Sequence, residues 1–394
     1  MEVVPLTLRD YYEFYAPTKV MFGHGLVEDV GAEAEELGGS TAMLITDKGV
    51  LDAGLTNTVK KSLESCALDL VEVYSDVPVN SEVAVCEQIA EFARARGVDT
   101  LVSLGGGSVI DTTKGVNILL GVGGDLMEDW QGTHLVPEPL NRHIAIPTTA
   151  GTGAEVTLGA IIKNTPTGQK VTFNSKYLLP DVAVLDPALT ETLPRGLTAA
   201  TGIDALTHAV ESFTSLEHLP PSDAFCTFAV QAIFSNLPRA MEDGSDMEAR
   251  SYMLIAANLA GSSLSHTVSI GACHAMANAA GGLSPVSHGL ANATILPSVM
   301  KFNLEAAADR FAALAPFVGV AAGGDELETA GRVVDAIADF IASFGLPRTL
   351  KEAGADPAMA ERMAEEAMGD GQMYGNPREP ELEDILGLYQ GLLS

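Results

Sequence analysis

Thr100-Leu101-Val102-Ser103-Leu104-Gly105-Gly106-Gly107-Ser108 decides the fold. A short apolar run suited to a buried strand meets three glycines, and a helical stretch begins at Val109. Glycines at such a turn let the backbone approach an anion closely. The helix beyond turns its free amides and its positive dipole end toward that anion. A pyrophosphate suits the position, and a plain strand-to-helix turn is the other reading. The spacing is not GxGxxG, so the usual dinucleotide pattern is absent.

Outward from this point the first half keeps one rhythm. Residues 41–46 (TAMLIT), 70–74 (LVEVY) and 143–146 (HIAI) read as further strands, and 81–96 (SEVAVCEQIAEFARAR) as an intervening helix. Strand and helix in alternation imply a parallel sheet covered on both faces. Residues 154–185, with Val171-Thr172-Phe173 and Val182-Ala183-Val184-Leu185, read as extra β structure containing a hairpin. From about Leu193 the pattern turns to Ala/Leu-rich helical stretches at 221–236, 246–264, 304–314, 326–344 and 357–368. The expected fold is therefore an α/β N-terminal domain with a parallel, Rossmann-like sheet, followed by an all-α C-terminal domain. The expected limits are 1–190 for a dinucleotide-binding domain and 191–394 for a helical metal-binding domain. Asp186-Pro187 and Leu193-Pro194 punctuate the boundary.

A chain of 394 residues allows two domains, each with its own core. Hydrophobic content of 47% with only 19% charged residues fits a globular enzyme, and aromatics at 6% leave the core to Ala, Val, Leu and Ile. No apolar run approaches the roughly 20 residues that span a bilayer. The N-terminus (MEVVPLTLRDYYEF) lacks an apolar signal core, so secretion is not expected. Four cysteines, none in a CxxC, argue against a zinc knuckle and a disulfide framework, and a reducing cytoplasm is the expected setting. A net charge of −30 argues against nucleic acid as a partner. The same charge suits a high-salt cytoplasm or an ordinary acidic protein, and composition does not separate the two.

The chemistry is carried by Thr201-Gly202-Ile203-Asp204-Ala205-Leu206-Thr207-His208-Ala209-Val210-Glu211. Asp204 precedes His208 by four residues, so a helix puts a carboxylate and an imidazole on one face. His274 and His288 follow in a glycine-rich region. One Asp and three His make a four-ligand set that leaves room for a substrate oxygen. It suits iron(II), with zinc as the rival. In the first half, Thr148, Thr149, Thr152 and Thr157 line a Thr/Gly loop (PTTAGTGAEVT) whose hydroxyls suit a cofactor. Asp47, after the 41–46 strand, is positioned to bind ribose hydroxyls and to repel a 2′-phosphate.

These segments together resemble the iron-dependent (group III) alcohol dehydrogenases. The resemblance rests on LGGGSVIDTTK (104–114), PTTAGTGAEVT (147–157), the Asp204–His208 helix, GACHAMANAAGG (271–282) and HGLANATILPSVMKFN (288–303), in that order. It runs from Pro17 to Arg378. It implies that Gly106, Gly107 and Ser108 bind the cofactor pyrophosphate, that Lys170 reaches the ribose, and that Asp47 favours NAD over NADP. It implies that Asp204, His208, His274 and His288 hold the metal, iron(II) or alternatively zinc. A cleft between the domains would join the two halves of the site. The implied reaction is reversible hydride transfer between a primary or secondary alcohol, or its aldehyde or ketone, and a nicotinamide, in a homodimer acting on small molecules.

One departure stands out. Members commonly read HAMAH where this chain reads His274-Ala275-Met276-Ala277-Asn278, and the second histidine is implicated in proton transfer. Asparagine cannot relay a proton. Upstream, where relatives often carry asparagine, the chain reads Ser265-His266-Thr267. Either His266 restores the relay or it is an ordinary helix-end histidine. Asn278, His266 and Phe173 are the expected pocket side chains. The alternatives on the same scaffold are a hydroxyacid–oxoacid transhydrogenase and a maleylacetate-reductase-like enzyme. A non-catalytic nucleotide- or metal-binding protein is the remote one.

Overall fold

The computed structural model describes residues 11–264, 270–321 and 323–394. The contacts of the described residues divide into two compact units, one of residues 16–194 and 244–258, the other of residues 11–15, 195–243, 259–264, 270–321 and 323–394.

The first unit is built on nine strands: β1 (Lys19–Phe22), β2 (Thr41–Ile45), β3 (Asp69–Tyr74), β4 (Thr100–Gly105), β5 (Gly132–Thr133), β6 (Arg142–Pro147), β7 (Gly159–Lys163), β8 (Lys170–Asn174) and β9 (Val182–Leu185). Six form a parallel sheet in the order β1-β9-β6-β4-β2-β3. Five helices accompany them: α1 (Val30–Glu36), α2 (Lys48–Asp52), α3 (Thr56–Glu64), α4 (Val83–Ala95) and α5 (Gly107–Gly121). Alternate side chains feed two cores, as the two-residue period of a strand requires. Met43, Ile45 and Leu101 join Cys86, Ile89 and Val116 of α4 and α5. Ala42, Leu44, Val102 and Leu104 join Val30, Val59 and Leu63 of α1 and α3. Every residue of β4 is buried, as for a central parallel strand covered on both faces.

Two expectations are corrected here. Val182–Leu185 is not accessory β structure: as β9 it enters the main sheet between β1 and β6. Only β7 and β8 form the antiparallel hairpin, which β5 extends in parallel. Phe173 does not face a pocket, because its β8 side chain is fully buried in the core beneath α4 and α5. The first unit also takes in 244–258, beyond a single cut at residue 190. Asn258 donates to the buried Glu155 carboxylate at 2.9 Å, which fastens that segment to the unit.

The remaining helices are α6 (Arg195–Thr214), α7 (Pro220–Glu242), α8 (Met247–Leu264), α9 (Ala272–Leu283), α10 (His288–Asn303), α11 (Ala308–Ala313), α12 (Glu326–Ala342), α13 (Ala360–Met368) and α14 (Leu382–Leu392). The second unit has no described strand. Nearly every residue of α6 from Thr198 to Thr214 is buried, so this helix is enclosed on all sides rather than amphipathic. No described helix is long and apolar enough to cross a membrane.

Candidate functional site

In the first unit the expected cofactor residues lie at the carboxyl ends of three adjacent strands. Asp47 follows β2, Gly106-Gly107-Ser108 follow β4, and Thr148-Thr149 follow β6. The strands are in register as neighbours, with Ile45 opposite Ser103 and Gly105 opposite Pro147. The chain runs outward from β2 to β3, then returns to place β4 on the other side of β2. This is the switch point at which open α/β sheets bind ligands. Gly106 is the N-cap of α5 and no side chain caps it. A Cβ on Gly107 would lie 2.8 Å from Thr152, so the Thr loop packs directly on the glycine turn.

Other predicted cofactor residues are engaged in distinct ways. Asp47 caps α2, accepting from Val50 N–H at 3.0 Å with one carboxylate oxygen. Ser108 donates to the Val79 carbonyl. Thr152 accepts from Ala154 N–H at 3.3 Å. Lys170 opens β8 opposite Lys163, and its charge is felt by the buried Asp111.

Lys114 is a residue that sequence reading left without a role. It is buried, and its ammonium donates to the Thr157 carbonyl at 2.7 Å, the Thr157 hydroxyl at 3.1 Å and the Gly159 carbonyl at 2.7 Å. Thus the Thr157 hydroxyl belongs to the Lys114 network. Burial pulls the Lys114 pKa down to about 8 against the opposing carboxylates of Asp111 and Glu155. Burial raises Asp111 to about 6, opposed chiefly by Lys114.

In the second unit Asp204, His208, His274 and His288 bring one ligand atom each to within 4.8 Å of one another. Asp204 and His208 project from α6, His274 from the first turn of α9, and His288 opens α10. Asp204 Oδ1 lies 3.7 Å from His288 Nε2 and 3.9 Å from His274 Nε2. Metal–ligand bonds of about 2.0–2.2 Å set ligand atoms no more than roughly 4.4 Å apart across one ion. The set therefore fits a single divalent cation after a small closure. The rings of His208 and His274 stack at 4.2 Å.

Two further residues organise this cluster. Asn292, one turn along α10 from His288, donates its amide to Asp204 Oδ1 at 2.6 Å and sits 3.1 Å from His274 Nε2 and 3.3 Å from His288 Nε2. Glu211, one turn beyond His208 on α6, accepts a hydrogen bond from His274 Nδ1 at 2.5 Å. The spacing 204, 208, 211 along one helix was the available signal for Glu211. Asn278 is buried on α9 and donates to Asp370 at 2.9 Å, and burial raises the Asp370 pKa. His266 lies outside the described residues.

A switch-point cradle in one unit and a carboxylate with three imidazoles in the other define the class of metal-dependent, nucleotide-linked oxidoreductases. Comparison with known proteins narrows this. Residues 17–187 match the model for iron-containing alcohol dehydrogenase, and 198–393 match that for the C-terminal part of the Fe-containing alcohol dehydrogenase family. The chain is 36% identical over 382 residues to a 1,3-propanediol dehydrogenase of Citrobacter freundii, covering 96% of this chain and 98% of that one. It is 33% identical over 381 residues to an NAD-dependent methanol dehydrogenase of Bacillus methanolicus, covering 96% and 99%. The solved structure of a 1,3-propanediol oxidoreductase superposes with a TM-score of 0.93 at 34% identity, covering 97% of this chain and 100% of that one. The chain belongs to the iron-containing alcohol dehydrogenase family and is an oxidoreductase acting on alcohols.

Proposed function

We propose that the chain catalyses reversible, NAD-linked oxidation of small primary or secondary alcohols with iron(II) held by Asp204, His208, His274 and His288. The observation that carries this reading is the convergence of the four donor atoms within 4.8 Å. A carboxylate with three imidazoles accepts zinc as well, and zinc is the rival ion. When bound, the ion supplies a Lewis acid for the alcohol oxygen. The nicotinamide supplies the hydride acceptor. Relatives named for 1,3-propanediol and methanol support a short alcohol as substrate. Four convergent donors disfavour the metal-free reductase alternative.

In this reading residues 1–190 serve the nucleotide and 191–394 the metal. Gly106, Gly107 and Ser108 with the α5 amides bind the pyrophosphate, and Thr148, Thr149, Thr152, Thr157 and Lys170 contact the rest of the cofactor. Asp47 keeps one carboxylate oxygen beyond its capping bond for the ribose, which favours NAD over NADP. Asn278, tied to Asp370, orients substrate without relaying a proton, and His266 takes the proton. A homodimer in the cytoplasm completes the reading. Edge strand β1, with Val20 and Phe22 each 45% exposed, supports the dimer, and the four free thiols support the compartment.

The test is elemental analysis joined to NADH-linked activity after chelation and re-addition of iron(II) or zinc. About one ion per chain, with activity lost and regained, is the expected result. Full activity in a metal-free preparation would overturn the ligand assignment.

A further inference from the structure

We infer that Glu211 is a positioning residue for the metal: its carboxylate fixes the ring orientation and tautomer of His274 and at the same time caps the helix that carries it. The inference rests on the metal reading above and adds to it a residue outside the four ligands.

Glu211 is almost fully buried, yet its carboxylate is fully used. One oxygen accepts from Cys273 N–H at 2.7 Å. The other accepts from His274 N–H at 3.1 Å and from His274 Nδ1 at 2.5 Å. Cys273 and His274 lie in the first turn of α9, where backbone amides have no partner within the helix. The N-cap, Gly271, has no side chain to offer them, so a residue on α6 does the capping. A carboxylate only accepts, so Nδ1 carries a ring proton, and in the neutral ring that a metal requires, Nε2 is left with the lone pair. The Asn292 amide nitrogen, which has no lone pair to offer, lies 3.1 Å from Nε2, a placement that suits an unprotonated Nε2. Nε2 is also the atom that faces Asp204, 3.9 Å distant. Because Asp204, His208 and Glu211 share one face of α6, a rigid helix sets two ligands and the orienting group of a third in a single piece. Histidines that bind metals are held through the opposite nitrogen in this way, and loss of the holding group weakens metal binding about 10–100-fold.

Glu211→Gln keeps the volume but can turn only one oxygen toward the three donors. The full-length protein is stripped with EDTA and titrated with Co(II) against a chromophoric chelator, with the visible Co(II) band recorded. The expected result is Co(II) affinity lowered about 10–100-fold in E211Q, with an altered band. Glu211→Asp, which retains the charge, should show a smaller loss that still exceeds twofold. E211Q that binds within twofold of the parent with the same band, even with a lower melting temperature, would make Glu211 a helix cap alone and overturn the inference. If E211Q does not fold, E211D decides: weakened Co(II) binding supports the inference and unchanged binding sinks it. A parent chain that takes up no Co(II), or an Asp204→Ala variant that binds it unchanged, removes the metal reading and the inference with it.

Discussion

Gly271→Ala gives a sharp test of how tightly the metal-bearing helix is docked. Gly271 has extended backbone (φ 172°), which any residue adopts, so alanine brings no conformational strain of its own. Its Cβ, however, would lie 2.5 Å from Glu211 Oε1 and 3.2 Å from Glu211 Cδ. Ordinary contact requires about 3.4 Å, so the carboxylate must retreat by roughly 0.9 Å. That retreat breaks or stretches past usefulness the bonds to Cys273 N–H and His274 N–H, now 2.7 and 3.1 Å. Hydrogen bonds to a charged group contribute about 1.5–3 kcal/mol each. The gain from replacing glycine is about 0.4–1 kcal/mol, through the unfolded chain. The net loss is about 2–5 kcal/mol. For a unit of this size it lowers the melting temperature by about 5–15 °C. The assay is thermal unfolding of the EDTA-treated protein, followed by circular dichroism at 222 nm. A melting temperature within 1 °C of the parent would refute the claim that Glu211 is pinned against the helix start.

Three further outcomes are expected. Phe173→Ala, which empties a fully buried ring site in the first unit, should cost about 3–5 kcal/mol in urea unfolding, whereas a pocket residue would change KM with little loss of stability. His143 is buried, with its pKa pushed down to about 3 chiefly by desolvation. In the unfolded chain it takes a proton near pH 6.5, so stability falls on acidification. Between pH 7.5 and 5.0 this one group costs about 2 kcal/mol, and His143→Gln should lack that component in paired urea melts. Lys114 acts in the same direction, in an alkaline window. Its folded pKa of about 8 lies below the unfolded 10.5, so the unfolded chain holds more protons and stability rises with pH between the two values. From pH 8 to pH 10 the rise is about 2 kcal/mol, and a Lys114→Met variant with the same rise as the parent would contradict the assignment.

The alternation of short apolar runs with helical stretches made the parallel sheet legible, because its central strands are buried on both faces and read as unbroken apolar segments. Strand β9 was harder. Val182–Leu185 has the same composition as a hairpin strand, and only pairing between residues 163 positions apart, such as Lys19 with Val182, puts it in the main sheet. Phe173 misled for a related reason: an aromatic on a short strand near a cofactor loop looks like a pocket wall until the cover of α4 and α5 is known. The four donors of the metal cluster were visible because Asp204 and His208 share a helical spacing and the family motifs supply His274 and His288. For Glu211 the helical spacing from Asp204 and His208 showed the shared face but not its partners, and Asn292 and Lys114 were not visible at all. Each acts through a partner on another element, and the one-dimensional pattern carries no record of which backbone amides or carbonyls a neighbouring helix or strand will leave in need of a partner.

The placement of the ligands along the chain has a consequence for biosynthesis. His288 follows Asp204 by 84 residues, and the three helices that bear the ligands are joined only by intervening sequence. At ribosomal rates of about 5–20 residues per second, roughly 4–17 s separate emergence of the first ligand from that of the last. During that interval α6 can offer only two donors, too few for a secure grip on any ion. The sheet unit is not complete early either, since residues 244–258 belong to it. The complete donor set of the proposed site therefore exists only after His288 has been made, well after Asp204 and His208.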